Sequence, residues 1–350
     1  MLRQEAARLL SPGGSAALFA NYAAFPSLLI AVSGGPDSMA LLRLAHAWAQ
    51  GEGRPRLLAA TVDHGLRPGS RHEAEKVAGW CADLGVAHRL LAWVGEKPSA
   101  RIQERAREAR YGLLDACARQ IGAAALLTGH HGDDQVETVL FRLLRGSGIA
   151  GLAGMAEMSW RGELMHGRPL LRLPKAVLVA VCEVANQAFV LDPSNADPRF
   201  ARTGLRKTAA VLRHNGFGAD GLLRLAARAA RANAALTQAA GDLAAQALIE
   251  QDEVSSRFQS HLLAQAAEEL TLRVICLEIE RISRRPHVRL ERAEALTKRF
   301  RTGILAGEPV CATLGGVILR SRGGFLTLRK ENRAAPKRRV TATDAVLPPF

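Results

Sequence analysis

The chain has 350 residues, more than one ordinary domain holds, and suits two domains with room for a small third module. Hydrophobic residues at 48% and charged residues at 23% are close to globular averages, which excludes a disordered chain and a fibrous repeat. Lysine and arginine number 47 against 33 acids, a formal charge of +14, which either aids solubility alone or draws in a polyanion, nucleic acid first.

The N-terminus MLRQEAARLLSPGG lacks the apolar centre of a signal peptide, and no later run reaches the roughly 18 apolar residues of a membrane span, so a cytoplasmic protein is expected. Residues 28–33, LLIAVS, form a continuous apolar run that predicts a strand buried on both faces. Pro36 then suits the first turn of a helix continued by Met39, Leu42 and Ala45. Strands are predicted at 56–64, 87–94 and 123–131. Between them, Val77, Cys81 and Leu84 mark one helix, and Ile102, Ala106, Ala109 and Leu113 a second, strongly charged one. A further helix covers 133–145, with Val136, Val139, Leu140 and Leu143 on one side. This alternation predicts an α/β fold with a doubly wound parallel sheet, whose ligands collect beyond the carboxyl ends of the strands.

Two breaks follow, the glycine-rich GSGIAGLAG at 146–154 and the turn cluster DPSNADPRF at 192–200. Residues 219–249, rich in Ala and Leu with interleaved Arg, predict helix. Residues 281–301 carry eight Lys or Arg and two acids, and residues 316–330 predict a hairpin around Gly323 and Gly324. The expected division is 1–215, a nucleotide-binding domain; 216–305, a helical nucleic-acid-binding domain; and 306–350, a small β-containing segment with a frayed tail. Cys81, Cys117, Cys182, Cys276 and Cys311 are odd in number and far apart, which argues against a disulfide framework and a cysteine-rich metal site.

The turn Ser33-Gly34-Gly35-Pro36-Asp37-Ser38 joins a buried strand to a helix. Glycines allow close backbone approach, the helix N-terminus favours an anion, and both serines offer hydroxyls. It has neither G-K-[ST] nor G-x-G-x-x-G, so ordinary NTPase and dinucleotide loops are excluded. Asp37 beside a phosphate would repel it unless a cation intervened, which suggests Mg2+ bridging to a nucleotide; otherwise it simply favours the first helical turn.

S-G-G-x-D-S after a strand resembles the PP-loop of the N-type ATP pyrophosphatases, an adenine nucleotide alpha hydrolase-like fold. The resemblance implies ATP bound at Ser33, Gly34, Gly35, Pro36, Asp37 and Ser38, cleavage between the α- and β-phosphates, and an adenylated substrate. VDHGLRPGS (62–70), ERAREARYGLL (104–114), TGHHGDDQVET (128–138), RLLRGSGIAGLAGM (142–155) and RPLL (168–171) then resemble, in order, the tRNA(Ile)-lysidine synthetase family. That implies adenylation of the first-anticodon-position cytidine of a tRNA(Ile) with a CAU anticodon, followed by attack of free lysine that displaces AMP. A homodimer is compatible with the sequence and not required by it.

His130, His131, Asp133 and Asp134 are also metal-ligand types, but neighbouring histidines at a strand end point apart. By resemblance, His130 and Asp134 contact the lysine ammonium or the reacting centre; helix capping is the other role open to the aspartates. Arg107 and Arg110, in the pattern A-R-x-x-R-Y, would hold phosphate or developing charge, although Glu104 and Glu108 could make that face an ordinary solvated one. Arg145 before Gly146 reads as a phosphate or tRNA contact, or as a plain helix end. Arg202 and Arg206 remain from the family's R-N-x-I-R stretch as RNA contacts, while Thr203 and Gly204 depart from it. Rival readings are another PP-loop enzyme, such as a tRNA thiolase, for which paired C-x-x-C cysteines would be expected, and a tRNA-binding protein without catalysis.

Overall fold

The computed structural model describes residues 1–11, 13–66, 69–95, 97–98, 101–190, 219–284 and 288–331. Arg202, Arg206, the 192–200 turn cluster and the expected boundary at 215 lie outside the described residues. The chain divides into two compact units, Met1–Ala230 and Arg231–Phe350.

In the first unit, α1 (Leu2–Leu10) and α2 (Ala16–Phe19) precede β1 (Ser27–Ala31). Then follow α3 (Pro36–Trp48), β2 (Arg56–Asp63), α4 (Ser70–Asp83), β3 (Ala87–Ala92), α5 (Ile102–Ile121), β4 (Ala125–Leu127), α6 (Gly132–Leu144) and α7 (Ile149–Leu152). The strands β5 (Met158–Arg161) and β6 (Leu164–Gly167) and helix α8 (Lys175–Val184) complete it. The sheet order is β3-β2-β1-β4-β6-β5, parallel except for the antiparallel edge strand β5. β1 lies at its centre, with Leu29 paired to Leu58 on one side and to Leu126 on the other.

The two-faced burial expected of residues 28–33 is present. Leu28 and Ile30 enter a core with α1, α3, α4 and α8, whereas Leu29 enters a second core with Tyr111, Leu114 and Cys117 of α5. Alternate side chains of one strand thus anchor helices on both faces, which is the doubly wound arrangement. The expected strand 123–131 is only Ala125–Leu127 long, because the chain leaves the sheet at Thr128 and turns through Gly129 into α6. The β5–β6 hairpin was not visible in the sequence; Gly162, with φ of +60°, makes its turn.

The second unit is mainly helical, built on the later part of the helix Ala219–Ala247 and on the helices Ser260–Gln265, Glu268–Ser283 and Leu290–Leu305. They pack with a five-stranded antiparallel sheet of β7 (Leu248–Gln251), β8 (Ser255–Gln259), β9 (Val310–Leu314), β10 (Val317–Arg322) and β11 (Phe325–Lys330), ordered β7-β8-β11-β10-β9. The hairpin at Gly323 and Gly324 closes on the pair Arg322–Phe325, both glycines having positive φ. Phe258, Ile275, Ile279, Phe300, Leu319 and Leu328 fill this unit's own core. Among the described residues, no helix is long and apolar enough to cross a membrane.

Candidate active site

β1 runs out into the loop 33–35, and Pro36 opens α3 at the position where a missing N–H costs nothing. Gly34 has φ of +86°, and a Cβ there would lie 2.9 Å from Val77 Cγ2, so only glycine fits. Its carbonyl accepts from Val190 N at 2.8 Å. Ser38 Oγ donates its one proton to Gly35 O at 3.0 Å and accepts from Ser33 N at 3.1 Å. With that proton committed, Ser33 Oγ, 3.2 Å away, is the donor to Ser38 Oγ. The two serines thereby hold the loop open around the helix N-terminus, where backbone N–H groups and the helix dipole favour an anion.

The end of β4 is keyed against this loop. A Cβ on Gly129 would sit 2.8 Å from Asp37 O and 3.1 Å from Ser38 N. His131 Nε2 consequently lies 3.5 Å from Asp37 Oδ2 and 3.4 Å from Asp134 Oδ2, with Asp133 Oδ2 3.7 Å from its Nδ1. Lys175 Nζ, at the start of α8, reaches Asp37 Oδ2 at 3.2 Å. Burial opposes the charge on Asp37, but the hydrogen bond and charge of His131, with Lys175, prevail and hold its carboxyl below the ordinary range. Burial likewise opposes protonation of His131, and the surrounding carboxylates overcome it, so its pKa is raised.

The two capping roles open to the aspartates are both filled. Asp134 Oδ2 accepts from His131 N at 3.1 Å at the start of α6, and Asp133 Oδ2 accepts from Lys175 N at 2.8 Å at the start of α8. Asp134 still exposes about a fifth of its side chain, 21%, and so keeps a face for a ligand.

His130 points the other way, as expected of neighbouring histidines. Its Nδ1 is 2.8 Å from Thr128 Oγ1, which is 2.9 Å from His166 Nε2. His166 Nδ1 is 3.0 Å from an Arg168 guanidinium nitrogen. Arg107 and Arg110 each lie 5.1 Å from the Tyr111 ring centroid and Arg161 lies 4.3 Å from it, while Tyr111 meets His166 edge-on at 5.5 Å. Burial, followed by the charges of Arg168, Arg110 and Arg107, pulls His130 down to about 3. Burial and the same arginines with Arg161 pull His166 down to about 3 as well. The glutamates that might have claimed Arg107 and Arg110 pair with other arginines, Glu104 with Arg101 at 3.9 Å and Glu108 with Arg105 at 3.2 Å. Arg107, Arg110, Arg161 and Arg168 place positive charge around the two neutral imidazoles, a field that favours an anion.

Arg145 forms the plain helix end at α6, its N–H bonding to Arg142 O, and its exposed guanidinium lies 4.2 Å from the Phe141 ring. Among the described residues no group of three or more His, Cys, Asp or Glu is placed to hold a metal ion. Sequence reasoning missed His131 as the partner of Asp37, and it missed Lys175, Thr128 and His166. Lys175 follows an ordinary leucine-proline pair and carries no motif; only the packing of α8 against α3 brings it to the site.

Residues 13–212 match the family described as PP-loop domain. A tRNA(Ile)-lysidine synthase of Methylobacterium sp. (strain 4-46) is 47% identical over 346 residues, covering 96% of each chain. The chain belongs to the tRNA(Ile)-lysidine synthase family. A second tRNA(Ile)-lysidine synthase, of Bradyrhizobium sp. (strain BTAi1), is 46% identical over 92% of this chain and 94% of its own. This lysidine synthase family is one of enzymes, built here on an ATP-using PP-loop domain. Among solved structures, the U34-tRNA thiolase NcsA of Methanococcus maripaludis, determined with its 4Fe-4S cluster, overlays with a TM-score of 0.50 over 59% of this chain and 72% of its own. At 16% identity that likeness is one of fold, and it supports the PP-loop architecture of this lysidine synthase family member.

Proposed function

We propose that this chain joins lysine to C2 of the first-anticodon-position cytidine of tRNA(Ile) with a CAU anticodon, in two steps driven by ATP. In the first, the cytidine C2 oxygen attacks the α-phosphorus, the bond to the β-phosphate oxygen breaks, and pyrophosphate leaves. In the second, the lysine ε-amine attacks C2, the C2–O bond breaks, AMP leaves, and the amine gives up its proton. The observation that carries this reading is the keying of Gly129 against the Asp37 backbone. It supports a nucleotide on the loop 33–38 after β1 and a lysine near Asp134 and His130 after β4 meeting at neighbouring strand ends, so that positioning supplies much of the catalysis.

Arg107 and Arg110 would neutralise charge as pyrophosphate departs. Asp37 Oδ1 is buried with no hydrogen-bond partner among the described residues, and such a carboxylate oxygen beside a phosphate loop would suit Mg2+ held with ATP. That ion would supply charge neutralisation on the phosphates. Asp134 suits the amine, since a carboxylate both attracts an ammonium and can take its proton. Arg145, Arg202 and Arg206, and the basic second unit, would contact the tRNA backbone, in keeping with an expected RNA-binding role for residues 216–305.

The decisive assay is transfer of radiolabelled lysine to tRNA(Ile) with ATP and Mg2+. Incorporation is expected in the wild type and not in Asp37→Ala. Incorporation without ATP would overturn the mechanism, and a nucleoside that gained sulfur in place of lysine on mass analysis would overturn the substrate.

A further inference from the structure

We infer that Arg168, acting through His166 and Thr128, fixes the His130 ring as the tautomer with its proton on Nε2, so that His130 presents a hydrogen-bond donor to an anionic oxygen of a substrate. The direction of every bond in the chain follows from one fact: a guanidinium donates and never accepts. Arg168 lies 3.0 Å from His166 Nδ1, so that nitrogen carries a lone pair and the proton of the neutral ring is on Nε2. His166 Nε2 then donates to Thr128 Oγ1 at 2.9 Å. The single hydroxyl proton of Thr128 is left for His130 Nδ1 at 2.8 Å, the competing Gly167 carbonyl being farther at 3.5 Å. Since His130 Nδ1 accepts, Nε2 holds the proton.

The start of the chain is anchored. Arg168 also donates to Ala156 O at 2.7 Å and to Ser159 Oγ at 3.1 Å. Its middle is dry, His166 being 1% exposed and Thr128 7%. His130 itself is half-buried, and its Nε2 has no hydrogen-bond partner among the described residues. Burial and the neighbouring arginines keep both imidazoles neutral, so neither becomes a double donor that would break the order.

A consequence separates this role from the one expected of His130 by resemblance. A ring whose only lone pair is already used by Thr128 cannot accept from the lysine ammonium. It can donate to an oxygen, and the positive charge of Arg107, Arg110 and Arg168 around it favours an anionic one. Resting on lysine ligation as the reaction, that oxygen belongs to the lysine carboxylate or to the nucleotide phosphoryl group. Arg168, His166 and Thr128 are positioning residues, and the tautomer they impose exists whichever substrate is bound.

The test is long-range proton–nitrogen correlation spectroscopy of the full chain labelled with 15N-histidine, His130 and His166 being assigned by His130→Gln and His166→Gln. Both rings are expected to show a protonated Nε2 and a bare Nδ1. Thr128→Val should change His130 alone, whereas Arg168→Met should change both, and Thr128→Ser should restore the wild-type pattern. A proton on His130 Nδ1 in the wild type, or an Arg168→Met spectrum unchanged at both rings, overturns the relay. These spectra are read without turnover, so they stand apart from any failure of the lysine-transfer assay. In kinetics, Thr128→Val should cost about tenfold, the size of one hydrogen bond, and Thr128→Ser should recover it. A rise confined to the KM for lysine assigns the oxygen to the carboxylate; slowed ATP-dependent pyrophosphate release assigns it to the phosphoryl group. No change in either would overturn the donor role.

Discussion

His131 stands among three carboxylates, Asp37, Asp133 and Asp134, at 3.5, 3.7 and 3.4 Å. Its raised pKa means that the folded state holds its proton more tightly than the unfolded chain does. The stability it contributes is complete below about pH 6.5, the unfolded value, and is lost as pH rises through the folded value. His166 is the opposite case. Pulled down to about 3, it stays neutral while the unfolded chain binds a proton, so stability is lost as pH falls from about 6.5 towards that value. Denaturant titrations across pH should therefore show His131→Gln flattening the alkaline decline and His166→Gln flattening the acid one; matching changes on the same side would contradict both assignments. Asp37→Asn keeps the shape of the side chain and removes its charge beside the phosphate loop. It should lower kcat/KM for lysine transfer by about a hundredfold or more, checked with the labelled-lysine assay, with folding intact by circular dichroism. Asp37, His130 and Asp134 stood out in the sequence because their residue types sit at strand ends. The pairing of Asp37 with His131 and Lys175 did not, because the three sit at the starts of three separate helices, and only packing brings His131 and Lys175 within 4 Å of Asp37.

The elements that build the site touch with almost no clearance. Gly129, at the turn from β4 to α6, rests on the backbone of α3, where an added methyl would lie 2.8 Å from Asp37 O. Backbone cannot swing aside as a flexible side chain can, so Gly129→Ala should push the N-terminus of α3 out of place. ATP affinity measured by calorimetry should fall at least tenfold while the far-ultraviolet spectrum stays native; unchanged affinity would show that the loop tolerates the shift. In the second unit Phe300, 1% exposed, joins the helix Leu290–Leu305 to the antiparallel sheet. Phe300→Ala should cost about 3–5 kcal/mol in equilibrium unfolding, the usual cost of emptying an aromatic core site. The strands β1 to β4 and the helices α3 to α6 of the first unit were legible because their apolar periods are strong; α1 and α8 were not read from the sequence. β5, β6 and the strands β7, β8 and β9 were not, because strands of only four or five residues carry few alternations.

Over the whole molecule, a charge of +14 makes binding of a polyanion depend steeply on salt. Arg145, exposed at the end of α6 with its guanidinium on Phe141, fits a backbone contact. Arg145→Ala should weaken tRNA binding and make the log–log salt dependence shallower by about one, measured by filter binding at several salt concentrations; an unchanged slope would remove Arg145 from the interface. By itself the sequence determined the α/β class, the phosphate turn and its aspartate, the strand-end histidines and the basic character. The turn and the histidines depend on neighbours within a dozen residues, where propensity, periodicity and turn chemistry act, and the class and the charge are sums of such local readings along the chain. Only the tertiary structure decided which histidine meets Asp37, which one is shielded among arginines, and how Arg168 orders the protons between His166, Thr128 and His130. Those outcomes depend on burial and on charges brought together from distant parts of the chain, and burial exists only once the sheet and its helices have packed.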